Sequence, residues 1–255
     1  MEKAKISVVI IAKNEEKKIA RCIDSVKWAD DIVVVDGFST DRTCELARSL
    51  GANVVQRTFT GSFADDRNAG MENAKNDWVL TLDADEVVTG DFRTALEKML
   101  RQGSGKTDVY KYKRVNFFLG KRMEHGGWTH YVPNLVRKGA VRFDGKVHEV
   151  PVYKGEVGTI DAVIEHHPFD SIAQFVERQN RYTDIASKDI MEKDGVLEDS
   201  RIKKELTLKP FKIFWKSYVK KQGYKDGLYG LVFAILFAFI HFLKWSKYWD
   251  LVKKT

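Results

Sequence analysis

Two cysteines, Cys22 and Cys44, are all that 255 residues contain. A disulfide framework is therefore excluded, and since neither cysteine stands near a histidine at ligand spacing, so is a thiolate metal site; both read as packed thiols in a reducing compartment. Long hydrophobic runs are also missing. Leu228 to Leu243 is a charge-free stretch of sixteen residues, short of the ~20 that cross hydrocarbon, which favours a helix lying in a membrane interface over one spanning it. No cleavable leader is expected, because Met1-Glu-Lys-Ala-Lys5 runs directly into a short strand and then charges, which places the catalytic face in the cytosol. Net charge is absent from residues 1–170, where 26 Lys+Arg meet 26 Asp+Glu, so the whole excess of +7 lies in residues 171–255, with 17 basic against 10 acidic. That excess carries no helix-turn-helix, zinc-finger or RNA-recognition signature, and nucleic acid is not expected as a partner.

What is present is an alternation of strand and helix. Ile6-Ser-Val-Val-Ile-Ile-Ala12 and Asp31-Ile-Val-Val-Val-Asp36 are continuous β-branched runs of the kind covered on both faces. A third strand over Ala52–Gln56, a helix over residues 63–75 and a fourth strand from Trp78 to Leu82 complete four strand–helix steps with short connections, so the fold class is α/β with a mostly parallel sheet flanked by helices. Phe92 to Leu100 predicts another helix. From Val109 the pattern turns to half-buried alternation, with β-like segments at 132–137, 141–143 and 159–165 forming a β-rich half. Ser171 to Met191 predicts a long helix opened by an Asp-Ser cap, and Lys193 to Arg201 a polar linker. The expected boundaries are 1–90 for a nucleotide-binding half and 91–170 for a β-rich half of one domain, and 171–255 for a helical, basic, amphipathic extension.

The chemistry concentrates where strands end. Val79-Leu-Thr-Leu-Asp-Ala-Asp-Glu86 is an apolar strand running into two aspartates, at the carboxyl edge where open α/β sheets bind ligands and where hard oxygen atoms hold divalent cations. Asn14-Glu15 after Ala12, and Asp36-Gly-Phe-Ser-Thr-Asp41, place further polar groups at the ends of the first two strands, able to bond a uracil imide and ribose hydroxyls. Arg67 offers positive charge to a base or to phosphates, with a helix-surface ion pair as its other reading. His125-Gly-Gly-Trp-Thr-His130 suits either a sugar stacked on Trp128 or a hairpin with a packed tryptophan, and Arg137 is a further phosphate or acceptor contact.

Together Ile6 to Glu15, Val35-Asp-Gly-Phe-Ser-Thr-Asp41, Phe63 to Asn68, Leu82-Asp-Ala-Asp-Glu86 and Lys146-Val-His-Glu149 resemble the family 2 inverting glycosyltransferases of the GT-A fold, and within them the lipopolysaccharide core β-1,4-glucosyltransferase group. Phe38 stands where that family usually has a small residue. The resemblance implies a UDP-sugar donor, UDP-glucose by best expectation, contacted by Ala12, Asn14, Glu15, Asp36, Arg67 and Asp83. It implies Mg²⁺ or Mn²⁺ on Asp85, with Asp83 sharing the metal and His148 as a third ligand. An inverting transfer needs a carboxylate base opposite the leaving group; Glu149, Asp144, Glu124 and Glu86 are candidates, and the His-Glu element favours Glu149. His125, His130, His166 and His167 rank below His148.

In the tail, Lys209-Pro-Phe-Lys-Ile-Phe-Trp-Lys-Ser-Tyr-Val-Lys-Lys221 interleaves aromatics with lysines. This suits an anionic membrane surface and predicts a peripheral enzyme on the inner face of the cytoplasmic membrane, acting on a glycolipid or oligosaccharide acceptor such as the lipopolysaccharide inner core. A packing or dimerisation helix is the other reading of the tail. A sugar-1-phosphate nucleotidyltransferase would need a glycine-rich, arginine-bearing loop after the first strand, which Ala12-Lys-Asn-Glu-Glu16 is not. A non-catalytic membrane adaptor is disfavoured by the intact aspartate pair.

Overall fold

A computed structural model describes residues 4–58, 60–102, 107–145 and 150–254. The β-branched runs are strands: β1 (Ile6–Ala12), β2 (Asp31–Asp36), β3 (Asn53–Gln56) and β4 (Trp78–Asp83). Between them lie α1 (Ile19–Ser25), α2 (Thr43–Ser49) and α3 (Phe63–Asn73). There follow β5 (Glu86–Val88), α4 (Gly90–Gln102), β6 (Val109–Phe118), β7 (Lys121–Arg122), β8 (His130–Arg137), β9 (Arg142–Asp144), β10 (Val150–Val152) and β11 (Val157–Phe169). The last part is helical: α5 (Ile172–Asp194), α6 (Asp199–Leu206), α7 (Leu208–Trp215) running into a π turn at Lys216–Lys220, a 3₁₀ turn at Gly223–Asp226, and α8 (Gly227–Val252).

The chain divides into two compact units, one of residues up to 114 with 130–166, the other of 115–129 with 167–255. The sequence suggested one cut at 170; here the segment around the Gly126-Gly127 turn joins the C-terminal helices instead.

In the first unit β1 is central and parallel to both β2 and β4, and β2 is parallel to β3. The full sheet order is β3-β2-β1-β4-β8-β6-β11-β5. The chain thus winds outward from β1 to one side and then crosses to the other, making a switch point at the carboxyl ends of β1, β2 and β4. Because strand side chains alternate, β1 serves two cores. Ile6, Val8 and Ile10 pack with Ile19, Ile23, Phe92 and Leu96, whereas Val9 faces Ala64, Met71 and Val79. Gly70 lets α3 lie close on that second face: a Cβ there would come 2.2 Å from Val9 Cγ1. β8 turns the sheet antiparallel against β4 and β6, and β5 pairs antiparallel with β11, His166 facing Glu86.

In the second unit Phe118, Met123, Phe169, Phe175 and Phe233 form one cluster, and Ile202, Trp245 and Tyr248 another. Ser171 caps α5 as expected, accepting from Gln174 N. The polar linker is shorter than its composition suggested, since α5 runs to Asp194 and α6 starts at Asp199. Tyr248 Oη explains why that short linker is ordered: it accepts from Leu197 N at 2.9 Å and donates to Gly195 O at 2.6 Å.

Candidate active site

The site grows from the turn between β4 and β5. Asp83 ends β4, Asp85 is buried, and Glu86 is fully enclosed at the start of β5. Glu86 stabilises the turn by accepting from Asp83 N at 3.0 Å. Burial raises its pKa, and the neighbouring Asp83 adds to the effect while Arg114 opposes it. Arg114, on β6, donates to Glu86 Oε1 at 3.3 Å and lies 3.7 Å from Asp83 Oδ2. Arg67, on α3 and 3% exposed, donates to Asp83 Oδ1 at 2.6 Å. Asp83 therefore sits between two guanidinium groups, one on each carboxylate oxygen.

His166 completes the cluster, its Nε2 3.3 Å from Asp85 Oδ1. One ligand atom from each of Asp83, Asp85 and His166 lies within 4.8 Å of the others, and two carboxylates with an imidazole are a donor set for Mn²⁺ or Mg²⁺. Three carboxylates against two arginines leave one negative charge over in a half-buried place, which a cation at this point offsets.

In the sequence His166 ranks below His148, a lone histidine being more often hydrogen-bonded structure than a ligand. The antiparallel pairing of β11 with β5 brings it there, placing His166 beside Glu86, and only long-range register could have revealed that. The residue preferred as third ligand, His148, and the preferred base, Glu149, lie outside the described residues. The described residues that precede them are held by α3 and its cap. Asn68 of α3 exchanges two 2.9 Å hydrogen bonds with the Phe143 backbone, and Ser62 Oγ donates to Gly145 O at 3.0 Å. The β9 end of that segment is thus tied to the helix that carries Arg67.

The loops after β1 and β2 are bonded to each other. Ala12 O accepts from Gly37 N at 2.9 Å. Asn14 N donates to Ser39 Oγ, and Asn14 Oδ1 accepts from Thr40 N, both at 2.8 Å; Glu15 N donates to Thr43 Oγ1, also at 2.8 Å. Asn14 and Phe38 adopt left-handed backbone, φ 55° and 57°, a conformation asparagine tolerates and phenylalanine resists. Asp36 was expected to face the base, but it is fully buried and its carboxylate is used by the loop, accepting from Ser39 N and Oγ and from Gln56 Nε2. Although burial works to raise its pKa, these hydrogen bonds prevail and hold it below the usual value.

Several lesser candidates fall elsewhere. Glu86, proposed as a base, is committed to the turn, and Asp144 is exposed with its Oδ1 accepting from Gly145 N. Arg137 pairs across the sheet with Trp78, at the opposite end of β4 from Asp83; its guanidinium lies 5.3 Å from the Trp78 ring and near Asp108. In the second unit Trp128 is packed, not offered to a sugar: it stacks on Phe233 at 4.4 Å and on Phe169 at 6.4 Å. There too Glu124 is exposed near Arg122, His125 Nδ1 lies 3.0 Å from Asp226, and His167 stacks on Phe117. His130, in the first unit, touches Arg114 at 3.2 Å. Cys22 is an inert buried thiol beneath the site, its pKa raised by burial and then by Glu86, as the scarcity of cysteine implied.

With this geometry in view, the glycosyl transferase family 2 model matches residues 7–155. Among curated relatives, an uncharacterised glycosyltransferase of Rickettsia prowazekii is 28% identical over 98% of this chain and 89% of its own length. The lipopolysaccharide core biosynthesis glycosyltransferase LpsC of Rhizobium meliloti is 26% identical over 96% of this chain and 92% of its own. Among solved structures, S. aureus TarS 1–349 in complex with UDP covers 98% of this chain and 90% of its own at 16% identity and a TM-score of 0.49. The chain belongs to glycosyl transferase family 2 and is a glycosyltransferase with a GT-A-type α/β fold.

Proposed function

We propose that this family 2 glycosyltransferase is a metal-dependent, inverting enzyme that transfers a sugar, glucose by preference, from its UDP derivative to a membrane-associated glycolipid such as the lipopolysaccharide inner core. The convergence of Asp83, Asp85 and His166 within 4.8 Å at the end of β4 carries the reading. The likeness to LpsC over nearly its whole length supports the choice of acceptor.

A divalent cation bound there supplies neutralisation of the negative charge that develops on a departing nucleoside diphosphate. The chain's own residues do the rest. Arg67 and Arg114 hold Asp83 in one orientation from both sides, and Glu86 fixes the turn through Asp83 N. The loops after β1 and β2 border the base and ribose, with Asn14 and Asp36 setting their shape. We assign Glu149 as the base that takes the acceptor hydroxyl's proton on the face opposite the leaving group. The acceptor's membrane location puts the enzyme on the cytoplasmic face of the inner membrane.

A panel of UDP- and GDP-sugars, each with Mn²⁺ or with EDTA, tests this through thermal stabilisation and donor hydrolysis. UDP-sugars with Mn²⁺ are expected to stabilise the protein and be hydrolysed slowly. Stabilisation by GDP-sugars alone, or equal binding in EDTA, would sink the reading. The Glu149→Gln variant is expected to keep donor binding while losing transfer.

A further inference from the structure

Between Glu205 and Asp226 the second unit has six lysines and no acidic residue. Lys209, Lys212, Lys216 and Lys220 are spaced three, four and four apart, so along α7 and its π turn they form one stripe. Beside the stripe stand Leu208, Phe211 and Trp215, 53%, 65% and 46% exposed. The Phe211 and Trp215 rings stack at 6.3 Å. Phe211, Lys212, Trp215, Lys216 and Lys220 line an open groove of about 650 Å³. On α8, Leu228, Ile235, Phe239 and Phe242 also face outward at helical spacing.

We propose that this surface of α7 and α8 is a docking face for an anionic phospholipid bilayer, with a headgroup phosphate held among Lys212, Lys216 and Lys220 and with Phe211 and Trp215 entering the acyl boundary. The inference deepens the membrane-associated reading above, and its occupant follows from charge. Lys209 has Glu205 3.8 Å away, but an isologous dimer through the same face would still set Lys212, Lys216 and Lys220 against their copies, a repulsive arrangement. A bilayer of acidic lipids supplies the missing negative charge and accepts the aromatics.

The same contacts decide how α8 meets the bilayer. With the 3₁₀ turn before it, α8 is long and apolar enough to cross a membrane by length and composition, longer than its charge-free run suggested. Its second half, however, is tied to polar helices. Lys247 Nζ lies 2.6 Å from Asp184 and donates to Asn180 O and Oδ1 on α5, and His241 Nε2 is 3.0 Å from Glu205 on α6. Crossing would drag these charged groups into hydrocarbon or strip away their partners. The helix therefore lies in the plane of the interface, its apolar ridge towards lipid.

The test is flotation of the full chain with vesicles of phosphatidylglycerol and phosphatidylcholine. Binding is expected to phosphatidylglycerol-containing vesicles only, and to be released by 1 M NaCl, because the charges are screened. Replacing Lys212, Lys216 and Lys220 together by Gln is expected to lower partitioning on the order of 100-fold, and Phe211→Ser with Trp215→Ser to lower it at low salt as well. Unchanged far-UV circular dichroism and thermal midpoint in these variants exclude misfolding as the cause. Equal binding to pure phosphatidylcholine, retention on vesicles in 1 M NaCl as a spanning helix would show, or a solution dimer that ignores vesicles would each overturn the proposal. A protein that floats as expected yet hydrolyses no UDP-sugar contradicts the proposed function and leaves this inference standing.

Discussion

The two units use charge in opposite directions. In the first, ionic groups turn inward: Asp83, Asp85, Glu86, Arg67 and Arg114 form a half-buried lattice with one negative charge left over. In the second, lysines turn outward in a stripe with exposed aromatics beside them. Inward charge needs partners at fixed geometry, so each residue there is held by another; outward charge needs only sign and spacing. Under the proposals above, the first pattern suits a small ion and a diphosphate, the second an extended surface.

Breaking the inward lattice is costly. Arg114→Met leaves Glu86 buried without its guanidinium and should destabilise the fold by roughly 3–5 kcal/mol, measured by urea unfolding; a cost below ~1 kcal/mol would mean the lattice is loose. Next in size is Gly70→Ala, which forces α3 away from Val9 and should cost about 1–3 kcal/mol while lowering donor affinity, since Arg67 rides on the same helix.

Asp66 sharpens the comparison from the pH side. Mostly buried, with Arg57 Nε 3.5 Å away, it has a pKa raised to about 6, chiefly by desolvation. An acid whose pKa is higher folded than unfolded binds more protons in the native state, so its contribution is present below pH ~4 and is lost as pH rises through 6. Asp66→Asn should therefore flatten stability between pH 4 and 6 and stabilise the protein at pH 7 by roughly 1–3 kcal/mol. A variant less stable than the parent at pH 7 would show the Arg57 pair outweighing burial. Smallest is Ser171→Ala in the second unit, which removes the α5 cap and should cost about 1 kcal/mol without touching donor binding.

What could be read beforehand divides along the same line. Parallel strands β1, β2 and β4 were legible because a strand covered on both faces must be largely apolar, and the acids at their ends were legible because they break those apolar runs. The aspartate pair followed directly. His166 did not, since its place depends on β11 pairing with β5 across a long stretch of chain, and register leaves no local mark. Trp128 was undecidable for a related reason: a glycine-flanked tryptophan looks alike whether it meets a sugar or Phe233, and the helix bearing Phe233 lies about a hundred residues on. The Lys193–Arg201 linker misled because α6 opens on Asp199-Ser-Arg, polar residues that are also good helix-start residues.

The central claim is that the surplus negative charge at the end of β4 holds a divalent cation. Mn²⁺ binding to the full chain, followed by electron paramagnetic resonance with and without UDP, tests it most directly. The account predicts one bound Mn²⁺ that tightens with UDP, is lost in Asp85→Asn and is weakened at least tenfold in His166→Gln. Unchanged Mn²⁺ binding in Asp85→Asn, or UDP binding indifferent to the metal, would contradict it.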